Sequence, residues 1–181
     1  MREAELIKEI CACGAHRAET VPDGRVVLSA DFRGICAANQ CGKFDRCWVC
    51  PPAIGEIDAL MRDIGRFSHA VLFQTVYPIE DSFDIEGMER AVRHHTAVTQ
   101  RVKRRVQTKS LGEYLLLSCG GCTLCKVCTK PSGQPCRHPD LTVAPMEAYG
   151  IDVYCTARRT TLKYTNGTNT VTYFGILLWR E

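Results

Sequence analysis

The sequence predicts an α+β fold, a single domain in which a mixed β-sheet carries packed helices and two cysteine-rich loops meet at one end. Three observations predict it. A chain of 181 residues, 45% hydrophobic and 24% charged, has the size and composition of one globular domain and excludes a disordered or fibrous protein. Apolar runs of strand length alternate with stretches of helical period. Nine of the twelve cysteines gather in two segments, loops at 36–52 and 119–139, within one domain spanning 1–181.

In chain order, Leu6, Ile7 and Ile10 recur at helical spacing and predict a short first helix. Pro22, Asp23 and Gly24 signal a turn, and 26–28 reads as an apolar strand. From Cys36 to Pro52 periodicity is lost, and Pro51 and Pro52 forbid helix until after them. Pro52 is placed to open a helix carrying Ile54, Ile57, Leu60, Met61 and Ile64 up to Gly65. Residues 69–77 form a buried strand rich in Val, Leu and Phe, closed by Pro78.

Ser82 is the expected N-cap of a long helix that begins acidic and ends with Lys103, Arg104, Arg105 and Lys109, matching the helix dipole. Its apolar stripe is Met88, Val92, His95, Val98, Val102 and Val106. Strand 114–117 follows Gly112, so strand, helix and strand predict a parallel crossover. Residues 160–179 predict a hairpin around Asn166-Gly167.

Twelve cysteines in this length, about 7%, fall below the density of a short secreted disulfide scaffold. The charged, amphipathic N-terminal segment does not resemble a signal sequence, and nowhere do eighteen apolar residues run together. The expectation is a soluble cytoplasmic protein that makes no use of a membrane. In a reducing compartment, clustered thiols bind metal or do redox chemistry.

The most specific motif is CTLCKVC, in which Cys122, Cys125 and Cys128 are spaced C-x2-C-x2-C, with Cys136 after seven further residues. Two-residue spacers let a tight loop aim three thiolates at one centre while its amides donate to the sulfurs, as in bacterial ferredoxins. Zinc sites usually pair two separated C-x2-C knuckles, so the triple run favours an iron–sulfur cubane, with a four-thiolate zinc site as the alternative. Cys36, Cys41, Cys47 and Cys50 form the second group, with gaps that match no single standard motif. Cys50, followed by proline, is equally placed to complete the other loop's cluster, which leaves ligand assignment between the loops open. Trp48 beside this group reads as core packing rather than a solvent shield.

The segments CAANQCGKFDRCWVCPPAIG, GGCTLCKVCTKPSGQPCRHP, PMEAYGIDV and YTNGTNTVTYFGILL resemble those of an uncharacterised family of predicted metal-binding proteins, across most of the chain. The resemblance implies a metal-binding protein of iron–sulfur type, found mainly in anaerobic microbes, with no settled activity. Matched residue by residue, it points to Cys36, Cys41 and Cys50 in the first motif and Cys122, Cys125, Cys128 and Cys136 in the second. Cys11, Cys13, Cys47, Cys119 and Cys155 lie outside the pattern and read as buried small hydrophobes. Cys47, close to Cys50, is the candidate fourth ligand. With seven thiolates, one cubane is complete and the other keeps an iron without a protein ligand, unless Cys47 or Cys119 fills the vacancy. The formal net charge of +3 would then be cancelled by the ligated thiolates and cluster cores.

Other candidates have ordinary readings. His94 and His95 are neighbours about 100° apart on a helix, which prevents them from sharing a metal, and His95 reads as a core residue. His16, His69 and His138 have no partner at ligand spacing, and Arg137 is placed to offset cluster charge or to cap its loop. The cations at 101–109 lack interleaved aromatics and read as a solvated helix face, so no nucleic-acid partner is expected. No phosphate loop or catalytic triad is present. The sequence therefore predicts a 4Fe–4S electron-transfer protein with a redox partner. The alternatives are an open-site cluster enzyme acting on a small molecule and a structural zinc protein.

Overall fold

A computed structural model describes residues 3–109 and 111–180; of the span 1–181 assigned to one domain, residues 1, 2, 110 and 181 lie outside these. Helix α1, Glu3–Ala12, leads into strand β1, Arg17–Thr20, and a short helix α2, Phe32–Ala37. Helix α3, Ile57–Ile64, precedes strand β2, His69–Pro78, and the long helix α4, Ile85–Gln107. Strand β3, Glu113–Ser118, opens the second cysteine loop, and the two-residue strand β4, Ala144–Pro145, closes it. A 3-10 turn at Met146–Tyr149, helix α5, Val153–Ala157, and strand β5, Thr170–Arg180, complete the chain.

The strands form one mixed sheet in the order β1-β2-β5-β3-β4, parallel only between β3 and β4. Both faces are covered, which explains why β2 and β5 read as continuous apolar runs. Val71, Phe73, Leu116, Leu177 and Trp179 pack towards α1 and α4, whereas Ala70, Leu72, Leu117, Ile176 and Leu178 pack with Ile64, Met146 and Ile151 on the other face. The period-2 alternation of strand side chains sorts these residues. No helix among the described residues is long and apolar enough to cross a membrane.

Four sequence expectations are corrected. Residues 26–28 are not a strand. Val27 N–H donates to Thr156 Oγ1 at 3.0 Å and Asp152 N–H to the Val27 carbonyl at 2.8 Å, so this backbone is satisfied by the α5 region, with one bridge at Leu28. The edge strand is instead β1, whose four residues are too short and polar to carry an alternation signal. Helix α3 starts at Ile57 rather than after Pro52, because Gly55 turns at φ +115° and Glu56 is extended.

Asp84, not Ser82, caps α4, its carboxylate accepting the Gly87 amide at 2.7 Å. Residues 160–179 are not a hairpin, since β2 and β3 occupy both edges of β5 and leave no ladder for 160–165. For the same reason the β2–α4–β3 crossover is parallel in direction, but with β5 inserted between its strands.

Candidate metal centre

The two cysteine segments are held against each other by polar contacts. Lys130 Nζ pairs with Asp45 at 2.7 Å, and the Trp48 indole N–H reaches the Gln134 carbonyl at 3.1 Å. In the first segment Cys36 lies on α2, an element without the apolar periodicity that would predict it. A tight turn closed by the Cys50 N–H to the Cys47 carbonyl, 3.1 Å, buries both side chains. The second segment leaves β3 through Gly120, at φ +65°, where a left-handed turn favours glycine.

The candidate cysteines divide between two cavities. Cys47, Cys122, Cys125, Cys128 and Cys136 line a small one of about 20 Å³, covered by Trp48, Arg137 and His138. Cys36, Cys41 and Cys50 line another of about 300 Å³, with Lys43, Glu147, Gly120 and Gly121 in its wall. The first loop is therefore split. Cys47 faces the second loop's cysteines, and neither it nor Cys119 stands in the wall with Cys36, Cys41 and Cys50.

A third cavity of about 460 Å³ adjoins the second and shares Cys41, Lys43, Gly120, Gly121 and Glu147 with it. Among the described residues, no three His, Cys, Asp or Glu side chains converge tightly enough to hold one metal ion.

A shared hydrogen bond dominates the electrostatics of Cys47 and Cys50, and burial those of Cys36 and Cys122. Cys47 accepts from the Cys50 thiol and from the Val49 and Cys122 amides, which bring it down to about 5 against the cost of burial. The same shared proton, with burial, pushes Cys50 upward. Within C-x2-C, burial raises Cys122 while the Leu124 amide opposes it, and the His138 N–H lies 3.4 Å from Cys136 Sγ. Burial raises Cys36 against the pull of the Arg33 guanidinium.

The Nε and Nη2 of Arg33 are buried with no hydrogen-bond partner among the described residues, an unsatisfied pair of donors one turn before Cys36. Amide donors directed at sulfur, an all-thiol donor set and orphaned guanidinium donors beside it fit a thiolate-held metal centre of net negative charge.

Trp48 corrects its sequence reading. It is half-buried, covers the cavity of Cys47 and Cys122, and carries Lys130 Nζ 5.5 Å above its ring. His138 lines that cavity too, from an exposed loop, while Arg137 donates to the Val127 carbonyl at 3.0 Å and so caps its loop. Cys13 is buried in the core with Cys11 packed against it, and Cys155 sits in the Asp152-capped helix α5.

Cys119 is half-buried against the third cavity rather than core, and burial pushes its thiol up to about 12, an unfavourable state for a ligand. His95 is a core residue bonded to Thr75 Oγ1 at 2.9 Å. Of the basic run, Arg105 and Lys109 pair with Glu9 and Arg101 binds the Cys13 carbonyl. Sequence reasoning missed Arg33, Lys43 and Glu147; only their nearness to the cysteine motifs could have marked them.

Fold and site together define a cysteine-rich α+β protein. The chain belongs to the DUF2284 family of predicted metal-binding proteins, whose model matches residues 19–179. No curated protein and no solved structure matches it.

Proposed function

We propose that this protein is a cytoplasmic iron–sulfur redox protein with two 4Fe–4S sites of different character, exchanging electrons with a partner protein. The single observation that carries the reading is the division of the cysteines between a small, more enclosed cavity and a larger, more open one. Cys122, Cys125, Cys128 and Cys136 would hold the enclosed centre, with Cys47 beside them as acceptor of the Cys122 amide. Cys36, Cys41 and Cys50 would hold the second, whose three thiolates leave one iron position for a non-protein ligand. Thiols spread around cavity walls suit a multi-iron core better than a single zinc ion, whose tetrahedral thiolates lie about 3.8 Å apart given Zn–S bonds of about 2.3 Å. Clustered cysteines at ligand spacing suit a reducing compartment.

The open site favours a second reading, in which the three-cysteine centre acts on a small molecule. Anaerobic quantification of iron and acid-labile sulfide, with electron paramagnetic resonance of the reduced protein, tests the proposal. About eight irons per chain are expected for two cubanes. Cys125→Ser should remove one spectroscopic species and Cys41→Ser the other. A colourless protein containing zinc and no sulfide would overturn it.

A further inference from the structure

The cavity of about 460 Å³ beside the three-cysteine wall contains none of the second loop's candidate ligands, and the redox reading gives it no task. Its volume falls in the range of small-molecule sites. Phe174, Tyr164, Met146 and Val153 form an apolar side, on which Tyr164 stacks against Phe174 with centroids 5.6 Å apart. Lys43 is the one cation in the wall of either adjoining cavity, and it makes no ion pair with a carboxylate among the described residues.

Its stem is fixed. A Cβ on Gly121 would stand 2.7 Å from Lys43 Cγ, so the glycine makes room for the lysine to cross the loop. The hydroxyls of Tyr173 and Thr172 add donors, burial keeps Tyr173 in its neutral form, and burial also favours the protonated carboxyl of Glu147.

We propose that this chamber binds a small monocarboxylate with an apolar, preferably aromatic, body: the carboxylate on Lys43 and the hydroxyl donors, the body against Tyr164 and Phe174. One cation, hydroxyl-bearing side chains and a stacked aromatic pair in the same wall are complementary to that chemistry and to neither a cation nor a polyanion. The proposal rests on the redox reading only in making the chamber a route to the centre of Cys36, Cys41 and Cys50, since Cys41 lies in both walls.

The test is calorimetric titration of the anaerobically prepared protein with phenylacetate, using phenethylamine as the same body with opposite charge, and with iron and sulfide counted on every sample. Phenylacetate should bind and phenethylamine should not. Lys43→Gln should weaken phenylacetate about tenfold, as loss of a charged hydrogen bond does. Val92→Phe, which fills the chamber from α4, should abolish binding with the iron content unchanged.

Equal binding of both probes, no binding to iron-replete protein, or indifference to both substitutions overturns the proposal. Lys43-dependent binding to a protein that contains no iron would uphold the chamber and sink the redox reading instead.

Discussion

Cys47 and Cys50 share a hydrogen bond within one turn yet line different cavities, so a three-residue step of backbone separates the two candidate centres. The turn is buried, and its Cys50 N–H to Cys47 carbonyl bond of 3.1 Å fixes the divergence. Cys50→Ser should therefore remove the species attached to Cys36 and Cys41 and leave that of Cys122 and Cys125. Cys47→Ser should retain both species, because serine can still accept the Val49 and Cys122 amides. Iron counting with resonance spectra of the two variants checks this; loss of iron from the enclosed centre in Cys47→Ser would make Cys47 a ligand.

Trp48 joins the loops and covers the enclosed cavity. Trp48→Phe keeps the cover but loses the indole donor to Gln134 and Thr129, and should cost about 1 kcal/mol, the net contribution of one hydrogen bond. Trp48→Ala also uncovers the cavity, so iron release to a chelator should accelerate severalfold over Trp48→Phe. Equal release rates from the two variants would show that the ring shields nothing.

What the sequence revealed and what it hid follow from where each signal resides. Strands β2 and β3 and helix α4 were legible because long apolar runs and a heptad-like stripe are properties of the segment itself. The 160–179 hairpin failed because Asn-Gly reports a turn but not whether an edge is free, and β5 pairs on both sides. The cysteine motifs were legible as chemistry through spacing. Their division was not, since Cys47 joins Cys122 across the two loops, and Glu147 enters the site only through tertiary packing.

Phe73 lies over Gly175 across the β2–β5 ladder, where their Cα atoms are paired. A Cβ at position 175 would meet the Phe73 ring at 2.3 Å, and that ring also stacks on His95 at 6.0 Å. Gly175→Ala must displace a fully buried aromatic and should destabilise by about 1–3 kcal/mol. Phe73→Leu in the same chain should recover part of that loss, giving a non-additive double-mutant cycle in urea unfolding. Simple additivity would mean that the ring does not own the space above the glycine.

Burial pushes His95 down to about 4, against an unfolded value of about 6.5. The unfolded chain then binds the proton first. Stability is full above pH 6.5 and falls as pH drops towards 4, by about 3 kcal/mol across the window. Wild-type protein and His95→Gln should therefore differ in slope between pH 6.5 and 4 and run parallel above 7. Acid sensitivity of the thiol centres acts on both proteins and cancels in the comparison. Parallel curves throughout would mean that His95 takes up its proton without cost in the fold.

Metal removal should loosen the loops and spare the sheet. The two large cores of buried residues contain none of the eight candidate cysteines; Cys47 and Cys50 belong to a small separate cluster with Val49. Residues 119–139 carry only short 3-10 turns beyond the end of β3 and are held by a few polar contacts, so a bound metal would add a large share of the constraint on their conformation. Stripping the metal, or substituting Cys125 or Cys128, should lower the melting temperature while far-ultraviolet dichroism stays near native. Hydrogen exchange should rise at 36–52 and 119–139, with β2 and β5 still protected. Uniform loss of protection across β2 and β5 would instead show that the sheet itself depends on the metal.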